Sequence, residues 1–356
     1  YENFYTENRW RLQGIQTDFS FKFDRFIRTL AFDFFVTRPR GSSAISGTTY
    51  SSDLLLSGGS MVSEINKRLT LSGNYVSLFE VASSGTQNIS VRNPVYDMAL
   101  LHHFGNDKHR FEQKLETGFS QRHWLHSELE NDMADSTSND TKGMFFELEN
   151  KYSKKDSTLS LTIGYRYVDP NFRSAGAQTR RLNFAAGNGN TIYPLYTNMS
   201  MTRPTSVFDL VADDRIYNQD LSSNLMVFNP IYSNVLPYGD ATPNRSGVYL
   251  KARLNNKSKV FLGKINAGFF KEVIGQGTAE KRSFGLVKAA LKINLHRWLH
   301  WKKELSFSAS SESELTSRGG DAVSSINLFS HQVNASLNME LAKKFFIQTS
   351  YKQFNA

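Results

Sequence analysis

The sequence predicts an all-β protein, a transmembrane antiparallel β-barrel, and three observations support this prediction. Segments of about 10–14 residues alternate between apolar and polar side chains, which is the period of a β-strand. Short polar turns join these segments in pairs, and longer polar loops separate the pairs. Short turns at one end and long loops at the other are typical of transmembrane barrels, whose strands need roughly 9–11 residues to cross a bilayer.

Seven short polar turns give the strand count. They lie at positions 23–25, 66–68, 105–108, 153–156, 255–258, 296–303 and 342–344. Because each turn joins two strands, we expect 14 strands. The predicted spans are 8–23, 26–37, 49–65, 68–80, 93–104, 109–124, 143–153, 157–168, 246–254, 259–273, 282–295, 304–316, 324–341 and 345–354.

The segment 157–168 shows the alternation most clearly. Its odd positions from 159 to 167 hold Leu, Leu, Ile, Tyr and Tyr, and its even positions hold Ser160, Thr162, Gly164 and Arg166. Since successive side chains of a strand point to opposite faces, this strand has one apolar and one polar face. The same pattern recurs at 144–152, 248–254 and 333–341.

Composition narrows the alternatives. The 356 residues include no Cys, which excludes a disulfide framework, a thiol nucleophile and a Cys-ligated metal. No window approaches the roughly 18 apolar residues of a membrane-spanning helix, whereas a barrel strand needs only every second residue to be apolar. The net charge of +9 suits nucleic acid, anionic lipid or an anion-attracting interior. The basic residues are dispersed, so we expect no nucleic-acid partner.

The predicted barrel has three parts. Residues 1–168 supply four hairpins, residues 246–356 supply three, and 169–245 form a long insert, either an extracellular loop or a plug-like element. The insert contains six of the eight prolines, which disfavour strand structure. Bacterial barrels place their short turns in the periplasm, so the first predicted strand would start outside the cell and the last would end outside it. Single-chain barrels normally keep both termini in the periplasm. We therefore expect a chain truncated at both ends and a complete barrel of 16 or more strands.

Charged side chains occupy the polar parity of several predicted strands. On the lipid face a Lys or Arg would cost about 2–4 kcal/mol, so these residues should face the interior. The candidate lumen-lining residues are Glu112, Lys114, Glu116, Arg122, Glu147, Glu149, Arg166, Lys251, Arg253, Lys264, Lys288 and Lys292. One interpretation is a pore with an acidic arc early in the chain and a basic arc late; the other is an interior closed by salt bridges.

The insert carries its own charged candidates for a constriction. They are Arg173, Arg180, Arg181, Arg203, Asp213 and Asp214. Two interpretations apply, a ligand or cation site and ion pairing between the insert and the barrel wall.

The sequence supports no catalytic or metal site. His296 and His300 have a helical metal-ligand spacing, but neighbouring Trp298 and Trp301 favour a turn at a membrane interface. No nucleophile elbow occurs, so we expect neither an enzyme, nor a bound metal, nor a cofactor.

The whole chain resembles Gram-negative outer-membrane β-barrel proteins in its turns, its loop asymmetry and its aromatic strand ends. The stretches 164–174 and 238–247 look like strand-to-loop junctions of such barrels. The resemblance implies an outer-membrane location, with lipid, lipopolysaccharide and a surface lipoprotein or other complex subunit as candidate partners. It implies a channel with a charged lumen constricted by the insert. The alternatives are a structural or assembly barrel of a secretion or surface-lipoprotein complex, and the barrel portion of a TonB-dependent transporter.

Overall fold

Fourteen long strands dominate the computed structural model. It describes residues 13–23, 27–40, 43–46, 49–51, 53–81, 87–106, 108–130, 133–174, 193–194, 200–201, 235–236, 239–275, 279–320, 325–342 and 345–355. The strands are β1 (Gln13–Lys22), β2 (Thr29–Arg40), β3 (Asp53–Glu64), β4 (Leu69–Val81), β5 (Gln87–Gly105), β6 (His109–Glu130), β7 (Met133–Lys154), β8 (Leu159–Val168), β9 (Arg245–Asn255), β10 (Phe261–Lys271), β11 (Ser283–Ile293), β12 (Leu305–Arg318), β13 (Ile326–Ala342) and β14 (Phe345–Asn355).

All fourteen strands belong to a single antiparallel sheet. Each strand pairs with the next one in the chain, and β8 pairs with β9 across the long insert. This confirms the predicted all-β fold and is consistent with a barrel. No ladder joins β1 to β14 among the described residues, so the sheet is open there. The prediction of 16 or more strands stays a prediction.

Small elements accompany the sheet. Ser43–Ser46 and Thr49–Ser51 pair as a short hairpin after β2, and Tyr193–Pro194 pairs with Ser200–Met201 inside the insert. A one-turn helix, α1 (Leu295–Trp298), lies between β11 and β12. Within the part of the chain that the structure describes, no helix has the length and apolar character to span a membrane.

Three strands are longer than the sequence predicts. β5 has 19 residues and β6 and β7 have 22 each, whereas the predicted spans were 93–104, 109–124 and 143–153. The additional ladder pairs residues of 124–130 with residues of 133–139. Polar residue types occupy both parities there, so the segment lacks the alternation from which strands are predicted. Positions 133–142, expected as loop, are strand.

Side-chain amides shape the tight turns. Asn66 Oδ1 accepts hydrogen bonds from the backbone N–H groups of Arg68 and Leu69, at 2.8 and 2.9 Å. Asn106 repeats this arrangement in the turn between β5 and β6. In the turn after β7, Asp156 Oδ1 accepts from the hydroxyl and the backbone N–H of Thr158, which lowers the pKa of its carboxyl. Asn and Asp favour these turns because their side chains replace missing backbone partners.

The register gives the sheet two chemically different faces. One face carries a row of mostly apolar residues across β8 to β13, and we call it the apolar face. The row consists of Tyr165, Val248, Phe269, Gly285, Leu315 and Phe329. Its side chains are exposed: Val248 by 53% and Phe269 by 57%. The polar face is the opposite one.

Two pairs of polar groups on the apolar face lie within hydrogen-bond distance of each other. Ser313 Oγ lies 2.8 Å from His331 Nδ1, and Tyr165 Oη lies 2.9 Å from Ser246 Oγ. Such pairing satisfies groups that would be costly to leave unpaired in an apolar medium.

Candidate functional site on the polar face

All twelve candidate lumen-lining residues lie on the polar face of β6 to β11. One row across the sheet contains Glu112, Lys151, Thr162, Lys251, Asn266 and Lys288. The next row but one on this face contains Glu116, Glu147 and Arg166. The sheet thus brings together charges that lie far apart in the sequence.

Arg166 is the centre of a buried charge network. Its side chain is only 5% exposed, and its Nε and Nη2 donate to Glu147 Oε1 at 3.0 and 2.5 Å. Its Nη1 donates to Asp240 Oδ1 at 2.7 Å. The Tyr249 hydroxyl lies 2.7 Å from the same Glu147 oxygen and 2.9 Å from Glu149 Oε2. The network therefore ties β7, β8 and β9 to the end of the insert.

The early strands carry both signs of charge rather than an acidic arc. Glu112 accepts a hydrogen bond from Lys151 Nζ at 3.4 Å, and it lies 3.4 Å from His103 Nδ1. Lys114 and Glu116 form a second ion pair on β6. Because cations face carboxylates across adjacent strands, this part of the polar face is nearly self-neutralising.

The late strands are predominantly basic. Lys288 Nζ donates a hydrogen bond to Glu312 Oε1 at 2.5 Å, and Lys251 Nζ lies 3.7 Å from Glu149 Oε2. The candidates Arg253, Lys264 and Lys292 are exposed on the same face. Arg122 differs from them, since it is 1% exposed among β5–β7.

The first residues of the insert fold onto the polar face. Phe172 is 2% exposed and packs edge-on against Phe145 with the ring centroids 5.3 Å apart. A Cβ on Gly143 would lie 2.2 Å from the backbone nitrogen of Phe172, so this close approach requires glycine. The carbonyl of Arg173 accepts from Asn93 Nδ2 at 3.2 Å.

Arg173 is the only insert candidate within the described residues. Its Nη1 donates to the carbonyls of Pro170 and Phe172, at 2.7 and 2.8 Å, so it stabilises the local loop. Its backbone N–H donates to Ser120 Oγ at 2.9 Å. The other insert candidates, Arg180, Arg181, Arg203, Asp213 and Asp214, lie outside the described residues.

The last residues of the insert form an apolar cluster on the same face. Val235 is fully buried, and its cluster consists of Tyr249, Phe270, Phe284 and Leu286. Leu236 packs against this cluster.

Two polar residues fix the insert's end to the sheet. Asn244 Oδ1 accepts from the N–H groups of Val273 and Ile274, at 2.9 and 3.0 Å. Arg245 donates to the carbonyl of Val235 at 3.1 Å, and its guanidinium lies 3.7 Å from the ring centroid of Phe284. Both ends of the insert are therefore anchored over the polar face.

A cavity of about 320 Å³ lies where the insert's end meets the sheet. Asp240 and Leu236 line it on one side, and Tyr249, Lys251 and Lys288 line it on the other. It has both cationic and aromatic walls.

Sequence reasoning missed the apolar cluster. Tyr249, Phe270 and Leu286 stand at polar-parity positions. The signal that could have shown an apolar patch inside is the run of adjacent apolar residues at 248–250, 269–270 and 286–287, which breaks the alternation.

No family model, no curated protein and no solved structure matches this chain.

Proposed function

We propose that the sheet forms a β-barrel in a bacterial outer membrane and conducts small polar solutes. In this proposal the apolar face meets lipid, the polar face lines a lumen, and the anchored insert narrows the lumen at the long-loop end. The observation that carries the proposal is the exposed apolar face with aromatic residues at both of its ends.

Aromatic residues stand eight positions apart on the apolar face of three strands. The pairs are Tyr96 and Phe104 on β5, Phe111 and Phe119 on β6, and Phe261 and Phe269 on β10. Eight residues span about 26 Å along a strand. With a strand tilt of about 35–45° the two aromatic levels are about 19–22 Å apart along the membrane normal, slightly less than the roughly 25 Å height of the apolar band of membrane barrels.

Between the aromatic pairs of β6 and β10 the apolar face carries no charged residue. On β10 it presents Gly263, Ile265 and Ala267, and on β6 it presents Gln113, Leu115 and Thr117. Soluble monomers rarely expose a contiguous apolar patch larger than a few hundred Å². A lipid environment removes that cost, because hydrocarbon replaces water around the exposed side chains.

The polar face supplies the features of an aqueous pathway. Its charged side chains would be costly in lipid and are stable beside water or opposite charges. The insert's ends, anchored by Phe172 and Val235, lie over this face. They would reduce the width of the lumen at the long-loop end of the strands.

The conductance of single channels in planar lipid bilayers tests the proposal. Replacing residues 175–234 with a short Gly-Ser linker keeps both anchors and should raise the conductance. Removing residues 321–324, in the loop between β12 and β13, is the control and should leave it unchanged. The absence of any current from correctly folded protein would contradict the channel function, and equal conductance of both variants would contradict the constriction.

A second candidate function, an assembly barrel, is favoured by the extension of β5–β7. β8 pairs with β7 only up to Phe145, and β7 continues to Met133, about 40 Å further at 3.3 Å per residue. A projecting three-stranded sheet provides a surface for a protein partner. A stoichiometric partner that co-purifies from native membranes, and is lost when residues 124–140 are replaced by a tight turn, would support this function over a solitary channel.

A further inference from the structure

Five cations form a cross-shaped group on the polar face of β9, β10 and β11. Lys264 lies at its centre, with Arg253 directly opposite on β9. Lys251 is the diagonal neighbour of Lys264 on β9, and Lys288 and Lys292 are its diagonal neighbours on β11. Directly opposite residues have Cβ atoms about 4.5–5.5 Å apart, and diagonal neighbours are about 7–8 Å apart. We call these five residues the basic cluster.

Carboxylates compensate only part of the basic cluster. Lys251 lies 3.7 Å from Glu149, and Lys288 lies 2.5 Å from Glu312. Among the residues that the structure describes, no carboxylate lies within ion-pair distance of the other three members.

On β12 and β13, the residues level with Lys292 and Lys264 are neutral. Ser308 lies opposite Lys292, and Ser310 lies next to it opposite Ala290. Asn334 and Ser336 continue these rows on β13. These side chains offer hydroxyl and amide donors and carry no negative charge that would repel an anion.

We infer that Arg253, Lys264 and Lys292 form a binding site for small polar anions of the phosphate or carboxylate class. The inference rests on the proposed function, because it assigns a ligand class to the proposed lumen. Like charges placed directly opposite each other destabilise a sheet, and an anion between them removes that repulsion. A guanidinium supplies paired donors that match a phosphate or a carboxylate, and an ammonium adds a point charge.

Ion selectivity in planar bilayers under a KCl gradient is the first test. The wild-type channel should prefer chloride over potassium, because a one-signed cluster concentrates counter-ions. In the triple variant R253Q/K264Q/K292Q the ratio of chloride to potassium permeability should fall by about tenfold. The control K154Q/K257Q/K302Q removes three cations from the turns at the same end and should keep most of the preference. Equal effects of the two triple variants would overturn the site, since net charge alone would then explain the selectivity.

Equilibrium dialysis with inorganic phosphate in detergent micelles is the second test, and it does not require conduction. Wild type and the turn control should bind phosphate, and R253Q/K264Q/K292Q should not. Phosphate binding without current would support the anion site while contradicting the channel. Current without phosphate binding and without anion preference would contradict the anion site while supporting the channel. The thermal unfolding midpoint of each variant shows whether it is folded.

Discussion

Removal of the Arg166 guanidinium should destabilise the sheet strongly. Arg166→Met keeps much of the side-chain length but leaves Glu147, whose side chain is 13% exposed, with the Tyr249 hydroxyl as its remaining described partner. Removing one partner of a buried ion pair lowers the free energy of unfolding by about 3 kcal/mol or more. The Asp240 contact adds at most about 0.5 kcal/mol, because that carboxylate is 71% exposed and screened by water. We therefore expect a loss of about 3 kcal/mol.

Urea unfolding in phospholipid vesicles, followed by Trp fluorescence, measures this loss. Two controls separate its causes. Asp240→Asn should cost less than about 1 kcal/mol. The double variant E147Q/R166M should recover a large part of the loss, because it no longer leaves a buried carboxylate without its cation. An R166M protein within about 0.5 kcal/mol of wild type would refute the buried network. So would a D240N variant that is as unstable as R166M.

Three further predictions concern the insert and the two faces. Gly143→Val should displace Phe172 from the sheet and cost about 1–3 kcal/mol, measured by urea unfolding. Val235→Asp should release the insert's last residues, because an unpaired charge replaces a buried apolar side chain, and should raise both protease cleavage within 175–234 and channel conductance. Ile265→Arg on the apolar face should cost about 2–4 kcal/mol in lipid, whereas Ser310→Arg on the polar face, opposite the neutral Ala290 and Asn334, should cost little.

Each of these predictions has a control or a contradicting outcome. Gly319→Ala is the glycine control, since a Cβ there meets nothing within 4 Å. A G143V protein as stable as wild type would contradict the close approach of the insert. Val235→Ala should leave the insert in place, so equal cleavage of the alanine and aspartate variants would argue against release by charge. Equal costs of the two arginine substitutions would contradict the assignment of the faces.

Much of the fold follows from side-chain alternation, because a strand with one apolar face reveals its period. The segment 157–168 predicted β8 to within two residues at its start and correctly at its end. The pairing of Arg166 with Glu147 is not predicted by the turn. A four-residue turn at 154–157 would place Glu147 opposite Gly164, whereas the observed register pairs Ser153 with Ser160 and Glu147 with Arg166.

The remainder of the site depends on contacts that alternation does not encode. Asp240 reaches Arg166 from 74 positions away, through an insert whose path the sequence does not determine. The cluster around Val235 places apolar residues on the polar face, where the period of two predicts polar ones. The strand extension at 133–142 has polar residue types at both parities and so gives no periodic signal.

Accessibility along β10 tests the central claim most directly. The 356 residues contain no cysteine, so each introduced cysteine is the only one among them. Single cysteines at each position from 262 to 270 would be placed in vesicles and probed twice, with a water-soluble maleimide and with a lipid-borne fluorescence quencher. The account predicts alternation: positions 263, 265, 267 and 269 are quenched from lipid and react slowly with maleimide, and positions 264, 266 and 268 do the reverse. Uniform reactivity with maleimide, or the opposite alternation, would contradict a barrel with its apolar face in lipid and its polar face in water.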